Sequence, residues 1–301
     1  MTSSNVMQEN DIEKIFDKIA EVSVRSLLYE ASSYPKPGLV TPLSSGPHAN
    51  YMDFFSFIDS SVFLYKYFRN LARVGFEEKN PEKCFEIARN LGKKAEIGMV
   101  RLVNANTQKG LIFLLGIGSL ATSFCLSNGI SFDKISETIK KMTYMNLESE
   151  FGEILIKARN GENLTAGEKL FVKFGLKGIR GEAQSGLKTV FQESLPYYQG
   201  LETKNKNEKL VNTLLFLMTI VDDTTSFYYH DDISIIEYIK KRAEKALKLG
   251  GASTKSGLEE LEKMSKDFTE KGIRTGGSAD LLAVTCFFDL VWSEIYKNDV
   301  I

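Results

Sequence analysis

Histidine and cysteine are scarce in this chain. His48 and His230 are the two histidines, so a multi-histidine metal centre is excluded. Cys84, Cys125 and Cys286 lie far apart with no CxxC pair, which argues against a structural zinc site and fits a reducing compartment. There is no excess of basic charge: 38 basic and 39 acidic residues leave a net charge of −1, unlike a general nucleic-acid binder. The N-terminus is polar and acidic and lacks the regions of a secretory signal. The longest apolar run, 111–126, is short for a bilayer span and carries Gly116, Gly118, Ser119, Thr122 and Ser123, so it reads as a buried core helix rather than a membrane segment. Period-2 strands, fixed repeats and low-complexity linkers are also missing.

What is present is helical. Hydrophobic residues make up 43% of the 301, enough for a sizeable core. Ile12, Ile15, Phe16, Ile19 and Val22 repeat at helical spacing, and this helix should run to about Ser32, where Tyr34-Pro35-Lys36-Pro37-Gly38 stops it. Asp53 caps a second helix carrying Phe54, Phe57, Ile58, Ser61, Val62 and Tyr65. A third ends near Asn104, the fourth is 111–126, and a fifth begins near Ser131–Lys134. Thr165 caps 166–174, a loop around Arg180 follows, and further helices fit 210–221, 233–249, 258–270 and 278–296. The expected fold is all-α: one multi-helix, bundle-like domain over 1–301 with a flexible first ten residues and a central polar pocket.

Three stretches set charge beside bare backbone: Asn106-Thr107-Gln108-Lys109-Gly110, Gly178-Ile179-Arg180-Gly181-Glu182, and Gly276-Gly277-Ser278-Ala279-Asp280. Glycine admits close approach to the main chain, and Arg and Lys pair with phosphate. Lys109 at the start of a helix is either a solvated lysine or half of an anion site. Arg180 and Glu182 either pair with each other or face a ligand. Asp222-Asp223 closes an apolar helix, where two carboxylates oppose the helix dipole unless a cation such as Mg²⁺ joins them; a polar turn or the start of the next helix is the alternative. Ser278 suits an N-cap and Asp280 a first helical turn, which explains Asp280 without a metal but leaves the paired glycines unexplained. His48 reads as an ordinary loop histidine or a catalyst. Tyr228 and Tyr229 read as core aromatics or a stacking surface for a base.

In order along the chain, Pro35-Lys36-Pro37-Gly38-Leu39-Val40, Gly46-Pro47-His48, Asn106–Gly110 with Ile112-Phe113, Leu164-Thr165-Ala166-Gly167, Gly178–Ala183, Asp223-Thr224 and Gly277–Leu282 resemble the triphosphoribosyl-dephospho-coenzyme A synthase family. They span about residues 25–290. The resemblance implies that the 2′-hydroxyl of 3′-dephospho-CoA attacks C1′ of the ATP ribose, adenine leaves, and the triphosphate stays on the transferred sugar. It implies ATP as substrate and Mg²⁺ as cofactor. Lys36, Lys109, Arg180, Gly181, Gly277 and Ser278 would hold the nucleotide, Asp222, Asp223 and Asp280 the metal, and Glu182, His48 and Asp223 would serve in catalysis. It further implies a cytoplasmic enzyme with no nucleic-acid or membrane partner, whose product passes to a carrier-protein transferase; a homo-oligomer is left open. Alternatives are the same transfer to another nucleotide or alcohol, or a nucleotide-binding regulator.

The chain departs from the family pattern at four places. Gln108 replaces a histidine, Asn50 an aspartate, and Thr225 an asparagine, while Tyr229-His230-Asp231 stands where the family has Arg-Gly-Gly.

Overall fold

The computed structural model describes residues 9–48, 52–230 and 232–297. In chain order the helices are α1 (Glu9–Ser32), α2 (Phe54–Phe63), α3 (Tyr65–Glu77), α4 (Pro81–Val103), α5 (Lys109–Ser127), α6 (Ile135–Arg159), α7 (Ala166–Phe174), α8 (Gly178–Ser185), α9 (Leu195–Gly200), α10 (Lys206–Ile220), α11 (Thr224–His230), α12 (Ser234–Lys248), α13 (Lys255–Glu270) and α14 (Gly276–Val291). Among the described residues there is no strand, only an isolated bridge between Thr41 and Ser44. The fold is all-α, as expected.

Local chemistry sets several boundaries. Asp53 accepts the Ser56 N–H while Ser56 Oγ reaches back to the Asp53 N–H, a capping box that starts α2. Thr165 and Glu168 make the same reciprocal pair at α7. Asn80 caps α4, with Pro81 in its first turn, and Asn104 ends it in the left-handed conformation. The expected second helix is broken at Leu64 into α2 and α3.

The core is built around α5, which packs against α1, α3, α4, α6, α8 and α14. It is apolar on every side, with Leu114, Leu115, Leu120, Ala121 and Cys125 fully buried. Its length and hydropathy would suit a bilayer span, but 78% of its most apolar window is buried inside the protein, so it is a core helix. α14 is equally apolar and lies against α1, α5 and α10. Glycines permit these close approaches. A Cβ on Gly75 would lie 2.2 Å from the Leu120 carbonyl oxygen, so α3 reaches the α5 backbone directly.

The stretch around Arg180, expected as a loop, is helix α8. Ala183 is buried in the core beneath it and Ile179 packs against the same cluster, and that packing offsets the roughly 1 kcal/mol that each interior glycine costs a helix.

Candidate functional site

The N-termini of α5 and α14, the turn after α1 and the segment between α13 and α14 meet at a cavity of about 210 Å³. Lys36, His48, Lys109, Arg274, Glu30 and Asp280 all line it.

Lys36 folds back over the end of α1. Its Nζ donates to Glu30 Oε1 at 2.5 Å and to the Glu30 carbonyl at 2.6 Å, and both side chains are almost fully buried. Burial pushes the Lys36 ammonium below the usual lysine range, and the Glu30 charge opposes that. Thr275 Oγ1 donates to the Pro37 carbonyl at 2.8 Å, fixing this turn to the entry of α14.

Asp280 projects from the second turn of α14 onto the start of α5. A Cβ on Gly110 would lie 1.8 Å from Asp280 Oδ2, so only glycine leaves room for the carboxylate. Part of the residue faces the cavity, yet its carboxyl is desolvated. Burial, then the negative charges of Glu30 and Asp223, push it well above the usual carboxylate range.

His48 sits in a short 3₁₀ turn, Gly46–His48. Burial, then the nearby Arg274 charge, lowers its imidazole to about 4, with a backbone hydrogen bond to Gly38 opposing. It is therefore neutral at neutral pH. Lys109 is the first residue of α5, which starts two residues before the expected 111, and it pairs with Glu96 at 2.6 Å.

Asp223 is buried beside the cavity as the cap of α14. Its Oδ2 accepts from the Ser278 N–H at 2.8 Å and Oγ at 2.9 Å, and its Oδ1 accepts from the Gly277 N–H at 3.2 Å. Oδ1 also accepts from Thr225 N–H at 3.2 Å and Oγ1 at 2.5 Å. This corrects the reading of Ser278 as the N-cap. Ser278 lies inside α14, and the cap comes from another segment of the chain. It also explains the second glycine of the pair, because a Cβ on Gly277 would press on Asp223 Oδ1 at 3.1 Å. The Gly277 and Ser278 N–H groups are therefore occupied by Asp223 and not open to phosphate.

Other expected residues lie elsewhere. Asp222 does not line the cavity and pairs with Lys240 at 2.7 Å, half exposed. Glu182 lines neither this cavity nor its neighbour. It accepts from Thr189 Oγ1 at 2.6 Å and is raised by burial, which Thr189 opposes. Gly181 is inside α8, where a Cβ would meet Lys177 Cβ at 2.5 Å. Arg180 lines a second cavity, 3.8 Å from Glu150 Oε2. Asp222 is thus engaged apart from Asp223 and Asp280, and among the described residues no three His, Cys, Asp or Glu side chains group closely enough to hold an ion.

Two charged lining residues carry no expectation from the sequence, Glu30 and Arg274. Glu30 carried a signal: it falls on the apolar stripe of α1 defined by Ile19, Val22, Ser23, Ser26 and Leu27, where a carboxylate needs a buried partner. Arg274 stands two residues before the glycine pair and donates its N–H to Ser226 Oγ at 3.0 Å.

Of the departures from the family pattern, Gln108 and Thr225 fall on residues whose side chains are described. Gln108 is buried behind it, donating to Ser61 Oγ at 2.9 Å. Thr225 joins the Asp223 network and also lines the cavity. Asn50 and Asp231 lie outside the described residues, as do the side chains of Tyr228, Tyr229 and His230.

The family described as CitG, ATP:dephospho-CoA triphosphoribosyl transferase, matches residues 16–298. A probable 2-(5''-triphosphoribosyl)-3'-dephosphocoenzyme-A synthase of Lactiplantibacillus plantarum is 34% identical over 90% of this chain and 96% of its own. The 2-(5''-triphosphoribosyl)-3'-dephosphocoenzyme-A synthase of Klebsiella pneumoniae is 31% identical over 90% of each chain. Protein CitXG of Leuconostoc mesenteroides subsp. cremoris is 33% identical over 90% of this chain, which spans 58% of that longer protein. No solved structure matches. With the matched region reaching from α1 through α14, this chain belongs to the CitG family of ATP:dephospho-CoA triphosphoribosyl transferases.

Proposed function

We propose that the cavity between α5 and α14 is where the triphosphoribosyl group of ATP passes to the 2′-hydroxyl of 3′-dephospho-CoA, with Asp280 as the proton carrier. The observation that carries this is the Asp280 carboxyl, desolvated against Gly110 and near two other carboxylates, on the wall of a cavity that also holds Lys109 and Arg274.

A carboxyl raised in this way holds its proton more tightly than an ordinary carboxyl, and in its protonated form it can act as an acid. Adenine is a poor leaving group as an anion. Protonated by Asp280 as the C1′–N9 bond breaks, it departs neutral. The sugar then carries oxocarbenium character, which the newly formed Asp280 carboxylate stabilises. The same carboxylate takes the proton of the acceptor 2′-hydroxyl as the C1′–O2′ bond forms. Protons balance, and Asp280 ends as it began.

Lys109 and Arg274 are the triphosphate ligands in this scheme. His48 is neutral, so it hydrogen-bonds to the sugar or phosphate without adding charge. Lys36 holds Glu30 in place rather than binding phosphate, since its ammonium is already engaged twice. Mg²⁺ arrives with the nucleotide, and no step above depends on it. The reaction belongs in the cytoplasm, where ATP is abundant, and its product passes to a second enzyme that loads a carrier protein.

The test is free adenine, measured by chromatography after incubation with ATP, Mg²⁺ and dephospho-CoA. Acceptor-dependent adenine is expected, falling about 10²-fold or more in Asp280→Asn. Adenine release indifferent to the acceptor, or an Asn variant at full rate, overturns the scheme.

A further inference from the structure

A second cavity, of about 310 Å³, opens on the other side of Lys109. Its floor is Tyr67, Phe85, Ile112, Ile117 and Leu147, and its rim carries Arg89, Lys93, Lys109 and Arg180 beside Glu96 and Glu150. The scheme above leaves it unused.

We propose that this cavity takes the pantetheine arm of the acceptor, with Arg180 on the diphosphate at its mouth and Lys109 shared between that diphosphate and the donor's triphosphate. The inference rests on the reading of dephospho-CoA as acceptor. That molecule carries its reacting ribose at one end, a diphosphate in the middle, and a long arm of amides, methylenes and a thiol at the other.

Three observations fit the same order of parts. First, Lys109 lines both cavities, so a ligand running from one to the other passes its ammonium. Second, the floor offers no spare polar group, because the Tyr67 hydroxyl already donates to the Ile112 carbonyl at 2.9 Å. An alkyl or thiol terminus suits such a floor, whereas a purine would leave its ring nitrogens unpaired. Third, the space is maintained by glycine. A Cβ on Gly116 would lie 2.5 Å from Tyr67 Oη, and one on Gly92 would lie 3.2 Å from it.

The rim cations are paired with carboxylates in this structure: Lys109 with Glu96, Arg89 with Glu150, and Arg180 more loosely with Glu150 at 3.8 Å. These pairs are partly exposed and therefore weak enough for a diphosphate to displace them. The donor's adenine, in contrast, must leave beside Asp280 and occupies the polar cavity.

The experiment measures ATP and dephospho-CoA binding separately by calorimetry on the full chain. The variants are Ile179→Trp and Ala88→Phe, which fill the cavity from α8 and from α4. Both should weaken dephospho-CoA at least 10-fold and change ATP less than twofold, and retained ATP binding shows that the variant is folded. Equal weakening of ATP, in variants whose circular dichroism and melting temperature match the wild type, would assign the cavity to the donor and overturn the proposal. So would dephospho-CoA binding unchanged in both variants, or absent from the wild type. If the wild type binds dephospho-CoA yet releases no adenine, the transfer reading falls while the variants still decide the cavity.

Discussion

The carboxylate of Asp280 fills the space that a side chain on Gly110 would need, so two residues on different helices define one another. Gly110→Ala separates catalysis from stability. Gly110 is an ordinary helical residue, and alanine there raises helix propensity by roughly 0.5–1 kcal/mol. Its methyl must nevertheless push the Asp280 carboxyl away. Adenine release should fall about 10²-fold, the cost of an ångström-scale misplacement, while the melting temperature shifts by only a few degrees. An active Gly110→Ala enzyme would show that the position of Asp280 does not matter.

Asp280 also has a signature in stability. Its folded carboxyl is raised, so between the ordinary value of about 4 and the raised value the folded state holds a proton that the unfolded state has released. Its contribution is present below the ordinary value and is lost as pH rises through the raised one. Melting curves of wild type and Asp280→Asn, compared across pH 4–8, should diverge with rising pH in favour of the variant. The slope should reach at most about 1.4 kcal/mol per pH unit, the limit for one proton. Parallel curves would mean that the carboxyl titrates normally.

Asp223→Ala should unfold more easily whether or not Mg²⁺ is present. It strips the cap from α14 and leaves the Gly277 and Ser278 N–H groups without their acceptor, for a loss of about 2 kcal/mol or more. Denaturant unfolding without nucleotide checks this. Unchanged stability, combined with a loss confined to Mg²⁺-dependent ATP binding, would return Asp223 to a metal-ligand role.

Lys36→Met leaves Glu30 buried beside Asp280 without its ammonium, at an expected cost of about 3–5 kcal/mol. Adding Glu30→Gln should restore much of it, because the uncompensated charge is then gone. A double variant no better than the single would show that Lys36 acts through packing instead.

Asp222→Ala provides the contrast. The residue is half exposed and paired at the surface with Lys240, so both stability and adenine release should stay near wild type, within about 0.5 kcal/mol and twofold. A large loss of activity would restore the adjacent-aspartate metal site.

Helices with short-range signals were legible in the sequence. Asp53, Thr165 and the prolines at 35 and 37 act on residues a few positions away, and the expected boundaries there fall within a few residues of those observed. The site was legible only in pieces. Asp223 caps a helix 54 residues further on, so no local pattern separates that role from metal binding. Gly178-Ile179-Arg180-Gly181 looked like a turn because glycine density usually marks one, yet tertiary packing made it a helix and turned Glu182 toward Thr189. Glu30 was hidden by its setting, a charged residue inside a well-formed apolar stripe.

The contact of Asp280 with Gly110 also fixes when in folding the pocket can exist. As the chain is made, α1, α3 and α4 precede α5 and can cover part of its surface, whereas α14 emerges much later. Until then α5 keeps a bare face on a segment whose mean hydropathy is 1.9. The pocket is therefore completed only when α14 docks on α5, the last of the helices that line it.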